Sequence, residues 1–251
     1  MSRALQTIAQ RWAGLKPHVV EHGPAGARPS VLLFHGCGGV RPHVHGYAEV
    51  AAGLGFRALV VDSYAARGWS RDFGLVFVCT GALLRGRERA GDVLAAAWGA
   101  TRELGGDRFV LAGWSHGAWS IMDLMTMPLA QAGEAGLADP SPESLAGLKG
   151  VFLGYPYGGV GALSRSRPWV RVPRVLGVLA ERDHVTRPAD AERCYAAARE
   201  AGAEIEVWRC HGTHAFDETD TGLSPMRYDA ALGAEALGRF GAFLEQSLAD
   251  P

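Results

Sequence analysis

Apolar residues in this chain fall into two alternating kinds of segment. Short runs rich in β-branched residues occur at HVVEH (18–22), SVLLFH (30–35), FRALVVD (56–62), RFVLAGW (108–114), KGVFLGY (149–155), PRVLGVLA (173–180) and EIEVWRC (204–210). They are too short for helices and predict strands. The later runs lack polar alternation, the pattern of inner parallel strands covered on both faces. HVVEH is assigned to an antiparallel edge. Between the runs, apolar residues at helical spacing predict helices over 47–54, 87–104, 116–131, 188–201 and 228–248. Gly105-Gly106 closes one of these and Gly202 another.

Strands alternating with helices predict an α/β fold: a mostly parallel central sheet with helices on both faces. No repeat or interdomain linker breaks the rhythm, and 251 residues suit one domain spanning 1–251. Two irregular stretches stand out. Residues 133–147, rich in proline, glycine and acids, predict a surface loop. Residues 155–173 leave the carboxyl end of a strand, where ligands of open α/β sheets bind, and so are expected to shape a pocket.

Composition narrows the partners. The formal net charge is −1 and a fifth of the residues are charged, which gives no polyanion-binding surface and argues against nucleic acid. No stretch is apolar for long enough to span a bilayer, and the amino-terminal residues lack the apolar core of a signal peptide. A soluble, cytoplasmic protein without membrane attachment is expected. The four cysteines, Cys37, Cys79, Cys194 and Cys210, form no CxxC pair. In a reducing compartment they are expected as thiols. A Cys37–Cys79 disulfide is the alternative, since both belong to loops near one end of the sheet.

The chemistry centres on RFVLAGWSHGAWSIMDLM, where a strand runs into Gly113-Trp114-Ser115-His116-Gly117 and at once into an amphipathic helix. A nucleophile elbow requires this strand, turn and helix. Ser115 would hold a strained backbone at the apex, and glycine at 113 and 117 removes side chains that would collide there. A serine hydroxyl is a weak nucleophile and needs a base, itself oriented by a third group. Asp183 follows a later strand and is the expected acid, with Asp190 and Asp217 as weaker competitors. His214 follows the last strand and is the expected base, preferred to His211 at the strand end. Two backbone N–H groups are placed as oxyanion donors: His116, after the nucleophile, and Cys37 in the turn His35-Gly36-Cys37-Gly38-Gly39. The histidine pairs His43-x-His45 and His211-x-x-His214 match no recognisable zinc pattern, and no metal is assigned.

With GWSHG, the acid turn, HGTHAFD and HGCGG in this order, and with VVDSYAARG and GRERAGDVLAAAW between them, the chain resembles the dienelactone hydrolase family of the α/β-hydrolase superfamily. The resemblance covers nearly the whole length. It implies the α/β-hydrolase fold and hydrolysis of a small-molecule ester or lactone through an acyl-enzyme, with no metal or organic cofactor. The founding enzyme has a cysteine nucleophile where this chain has Ser115. Arg67 lies one position from the family's carboxylate-binding arginine. It is a candidate substrate-binding residue or a loop arginine paired with Asp62 or Asp72. Trp114, Tyr155 and Tyr157 flank the nucleophile or a strand end and are further candidates for the pocket wall. A thioesterase, amidase or peptidase would use the same machinery, and a non-catalytic binding protein would keep the pocket without turnover.

Overall fold

The computed structural model describes residues 4–27, 29–220 and 225–249. It opens with helix α1 (Ile8–Leu15), which the apolar spacing did not single out, and strand β1 (Val19–His22). There follow β2 (Pro29–Phe34), α2 (Pro42–Gly53), β3 (Arg57–Val61), the short α3 (Arg71–Phe73) and a π-helical turn over Gly74–Val78. The second half continues with α4 (Gly86–Arg102), β4 (Arg108–Trp114), α5 (His116–Met125), β5 (Leu148–Gly154), β6 (Arg174–Ala180), α6 (Pro188–Glu200), β7 (Ile205–Cys210) and α7 (Ala230–Leu248).

All the strand runs join one seven-stranded sheet in the order β1-β3-β2-β4-β5-β6-β7. β1 runs antiparallel to β3 at the edge, and the remaining pairs are parallel. Side chains of a strand alternate between faces, and each face has its own core. Leu32 and Phe34 of β2 pack with Trp12, α4, α5 and Tyr195 on one side. Val31 and Leu33 pack with Tyr47, Phe152, Phe240 and Phe243 from α2, β5 and α7 on the other. Burying such large side chains on both faces supplies the main driving force, at about 1.5 to 3 kcal/mol each.

Two expectations need correction. The helix starting at His116 ends at Met125, not at 131, because Pro128 cannot continue it. Residues 133–147 do not form a purely solvent-facing loop: Ala135, Leu137 and Leu145 are buried in the α4 face of the core. The helix stops at Gly105 and Gly202 both have left-handed backbones, with φ of 75° and 97°. No helix among the described residues is long and apolar enough to cross a membrane.

Candidate active site

The parallel strands end on one side of the sheet, and their following loops enclose a cavity of about 750 Å³. Ser115 lies between β4 and α5 with φ 50° and ψ −109°, a strained conformation for a residue with a side chain. The elbow can form because its neighbours are glycines. A Cβ on Gly113 would come within 2.6 Å of the Ala118 nitrogen, and one on Gly117 would run into the Phe34 carbonyl oxygen of β2. The Ser115 N–H continues the sheet by donating to Gly154 O at 2.8 Å, which fixes the apex relative to β5.

His214 Nε2 lies 3.1 Å from Ser115 Oγ, and His214 Nδ1 lies 2.7 Å from Asp183 Oδ2. The second contact places the imidazole proton on Nδ1, leaving Nε2 to accept from the serine. Asp183 is held by its own turn: Val185 and Thr186 donate their N–H groups to Oδ1 at 2.8 and 2.7 Å, and the Thr186 hydroxyl approaches Oδ2 at 2.7 Å. Burial by itself would raise this carboxyl, but the bonds from His214 and Thr186 hold it below the ordinary carboxylate value. The acid turn and the histidine loop are joined by Arg182 N–H donating to Gly212 O at 3.0 Å. The Thr213 hydroxyl accepts from Arg227 N–H at 2.8 Å, fixing the histidine loop from its other side.

The competing residues go elsewhere. Asp190 pairs with Arg165 at 2.8 Å. His211 faces Glu181 across a largely exposed contact of 3.3 Å. Asp217 is buried and accepts hydroxyl hydrogen bonds from Tyr47 and Tyr155, each at 2.8 Å.

Cys37 and His116 border the same cavity as Ser115, from opposite loops. The His116 side chain does not follow α5. It turns beneath the elbow, where Nε2 donates to Leu84 O at 2.7 Å and Nδ1 lies 3.1 Å from Arg89 Nη1. Burial first, and then the adjacent Arg89 charge, push its pKa down to about 3, so the ring is neutral at working pH. Trp114, Tyr155 and Tyr157 all border the cavity. The Tyr155 ring stands edge-on to His214 at 4.8 Å, with its hydroxyl committed to Asp217. Tyr157 packs on Trp119 at 4.8 Å.

Arg67 is a correction. It borders a different cavity and grips the fully buried Asp92 with both terminal nitrogens, at 2.8 and 2.9 Å. Neither Asp62 nor Asp72 is its partner; the Asp62 carboxylate instead accepts the N–H groups of Tyr64 and Ala65. Asp92 also binds Arg11, and burial, which would raise its carboxyl, is outweighed by the two guanidinium groups. The thiol expectation is also corrected at two of the cysteines. Cys37 and Cys79 form a disulfide, while Cys194 and Cys210 are free and buried. The fold brings the loop after β2 against the π-helical turn, a convergence that spacing in sequence does not encode.

Sequence reasoning did not place the segment around Cys79 in the cavity lining. Arg71, Leu75, Val78, Thr80 and Arg85 border the cavity together with Tyr157 and Val160. Its signal was weak: a short apolar stretch, GLVFV, between glycine-containing turns.

No family model matches the sequence, and no curated protein does. Solved structures do. A dienelactone hydrolase-like promiscuous phosphotriesterase from metagenomic libraries superposes with a TM-score of 0.63 at 15% identity, over 91% of this chain and 92% of its own. Esterase 2 of Thermogutta terrifontis phosphonylated by cyclosarin gives 0.64 at 15% identity, over 92% and 89%. The propionate-bound form of the Thermogutta terrifontis esterase gives 0.63 at 15% identity. The chain has the dienelactone hydrolase type of α/β-hydrolase fold. Ser115, Asp183 and His214 follow β4, β6 and β7 in that chain order.

Proposed function

We propose that the protein is a serine hydrolase that cleaves a small carboxylic ester or lactone. The observation that carries this reading is the continuous chain Ser115 Oγ to His214 Nε2 at 3.1 Å and His214 Nδ1 to Asp183 Oδ2 at 2.7 Å, opening on the cavity. His214 takes the hydroxyl proton as Ser115 attacks the carbonyl carbon, and Asp183 stabilises the imidazolium. The N–H groups of Cys37 and His116 receive the developing oxyanion, an electrostatic contribution worth about 10²- to 10³-fold per donor. His214 then returns the proton to the leaving alcohol. Water activated by the same histidine releases the acid.

The similarity in fold to an esterase, in two liganded forms, and to a phosphotriesterase supports this reading. That esterase is phosphonylated by cyclosarin in one of the two, so an electrophilic phosphorus reagent is a suitable probe here. The test is stopped-flow hydrolysis of a short-chain p-nitrophenyl ester by wild type and Ser115→Ala, with mass spectrometry of the quenched protein. The expected result is a burst with an acyl adduct on Ser115 in wild type and neither in the variant. Normal turnover by folded Ser115→Ala would overturn the proposal.

A further inference from the structure

Arg89, on the first turns of α4, is fully buried and borders no part of the cavity wall. Its placement is unusual for a cation. Among the described residues no carboxylate lies within ion-pair distance of it, since nearby Asp92 is held by Arg67 and Arg11. A buried charge without a carboxylate partner costs several kcal/mol, so the fold must retain it for its hydrogen bonds or its field. The hydrogen bonds are specific. Nη1 donates to the His35 carbonyl at 2.7 Å and to His116 Nδ1 at 3.1 Å, while Nε donates to the Ser63 hydroxyl at 3.1 Å. The His116 ring accepts because its other nitrogen already donates to Leu84 O. Nη2 is buried without a partner.

Those contacts span the two halves of the oxyanion site. The His35 carbonyl lies just before Gly36-Cys37, and the His116 ring belongs to the residue whose N–H is the elbow donor. The two loops leave neighbouring strands, β2 and β4, which pair in parallel up to Phe34 and Gly113. We propose that Arg89 is a positioning residue for the oxyanion hole. One nitrogen, Nη1, ties the Cys37 loop to the His116 elbow while Nε on Ser63 fixes the guanidinium plane, so that both N–H groups point to one place before substrate arrives. This rests on the reading of Ser115 as the acylating nucleophile. The fixed plane linking Nη1 and Nε is what matters: a lysine ammonium has no such geometry with which to hold a carbonyl, a ring nitrogen and a hydroxyl together.

The experiment compares wild type, Arg89→Lys and Arg89→Met by steady-state hydrolysis of a p-nitrophenyl ester. It also measures binding of two ketones of one carbon skeleton, a trifluoromethyl ketone that adds to a serine as an oxyanion and its unreactive methyl counterpart. Folding is checked by thermal melting, and hemiketal formation by fluorine NMR. Both variants are expected to lose about 10- to 100-fold in kcat with KM little changed, since a misaligned donor forfeits part of its contribution. Affinity for the trifluoromethyl ketone should fall by the same factor and that for the methyl ketone should not change. A purely structural role would lower the melting temperature without separating the two ketones. Arg89→Lys keeps the bulk and charge, so it serves as the test even where Arg89→Met does not fold. Wild-type kcat and trifluoromethyl ketone affinity in folded Arg89→Lys would overturn the proposal. Absence of a hemiketal on Ser115 in wild type would instead overturn the nucleophile reading on which it rests.

Discussion

The two walls of the cavity are built differently. One carries Ser115 and His214 at the ends of β4 and β7, with Asp183 after β6 bonded to His214, each held by hydrogen bonds between neighbouring loops. The other is the irregular segment from Arg71 to Arg85, which belongs to no sheet. A small separate cluster of Tyr64, Val78 and Leu84 holds it, with the Cys37–Cys79 disulfide and the hydrogen bond from Tyr64 to Cys37 O at 3.0 Å. The first wall is held by many hydrogen bonds and the second is tethered at a few points. On the proposed function, catalytic geometry and substrate choice would therefore be able to change independently.

The largest expected effect breaks the first wall alone. Ser115→Ala or His214→Ala should cost about 10⁴- to 10⁶-fold in kcat, Asp183→Asn about 10⁴-fold, and the double variants little more than the worse single one. Steady-state assays check this, with melting curves close to wild type for Ser115→Ala and Asp183→Asn, which remove almost no buried volume.

The second wall responds in stability and in KM. Cys79→Ser opens a loop closed across a sequence separation of 42 residues, for which chain entropy gives a loss of about 4 kcal/mol. Urea unfolding measures that loss. KM for long acyl esters should rise more than the rate of Ser115 labelling by a small fluorophosphonate falls; equal changes in both would show that the walls are coupled.

Asp123 tests the support beneath the elbow helix. Burial, opposed by hydrogen bonds from Ser164 and its neighbours, raises its carboxyl to about 7 from an ordinary 3.8. The folded state thus keeps a proton that the unfolded chain gives up, and stability falls as pH rises from 3.8 to about 7, then levels. The fall is on the order of 4 kcal/mol. Asp123→Asn should remove it from the plot of melting temperature against pH, while kcat is unchanged. Tyr64→Phe is the mildest probe of the tethered wall, costing about 1 kcal/mol through one lost hydrogen bond, read from the urea midpoint.

Much of the molecule was legible in the linear chain because its signals are local. Every strand was marked by a β-branched run, and the elbow by two glycines whose necessity follows from the backbone of the residue between them. The convergence of Asp183 and His214 on Ser115 was legible because each follows a particular strand of this topology. Helix α1 was missed: its stripe of Ile8, Trp12 and Leu15 occupies only two turns. Arg67 was misread because its partner, Asp92, lies on α4 and faces it only after folding.

The sequence by itself determined the order of elements, the alternation that covers a parallel sheet on both faces, and the residue types at the proposed nucleophile, acid and base. These depend on periodicity and on backbone conformations that particular residues permit. Only the tertiary structure decided that Cys37 meets Cys79, that Arg67 turns to Asp92, and that Arg89 bridges the loops after β2 and β4. Each is a meeting of side chains far apart in sequence, set by the path of irregular loops after the sheet has formed, and no local pattern of hydrophobicity or turn chemistry encodes that path.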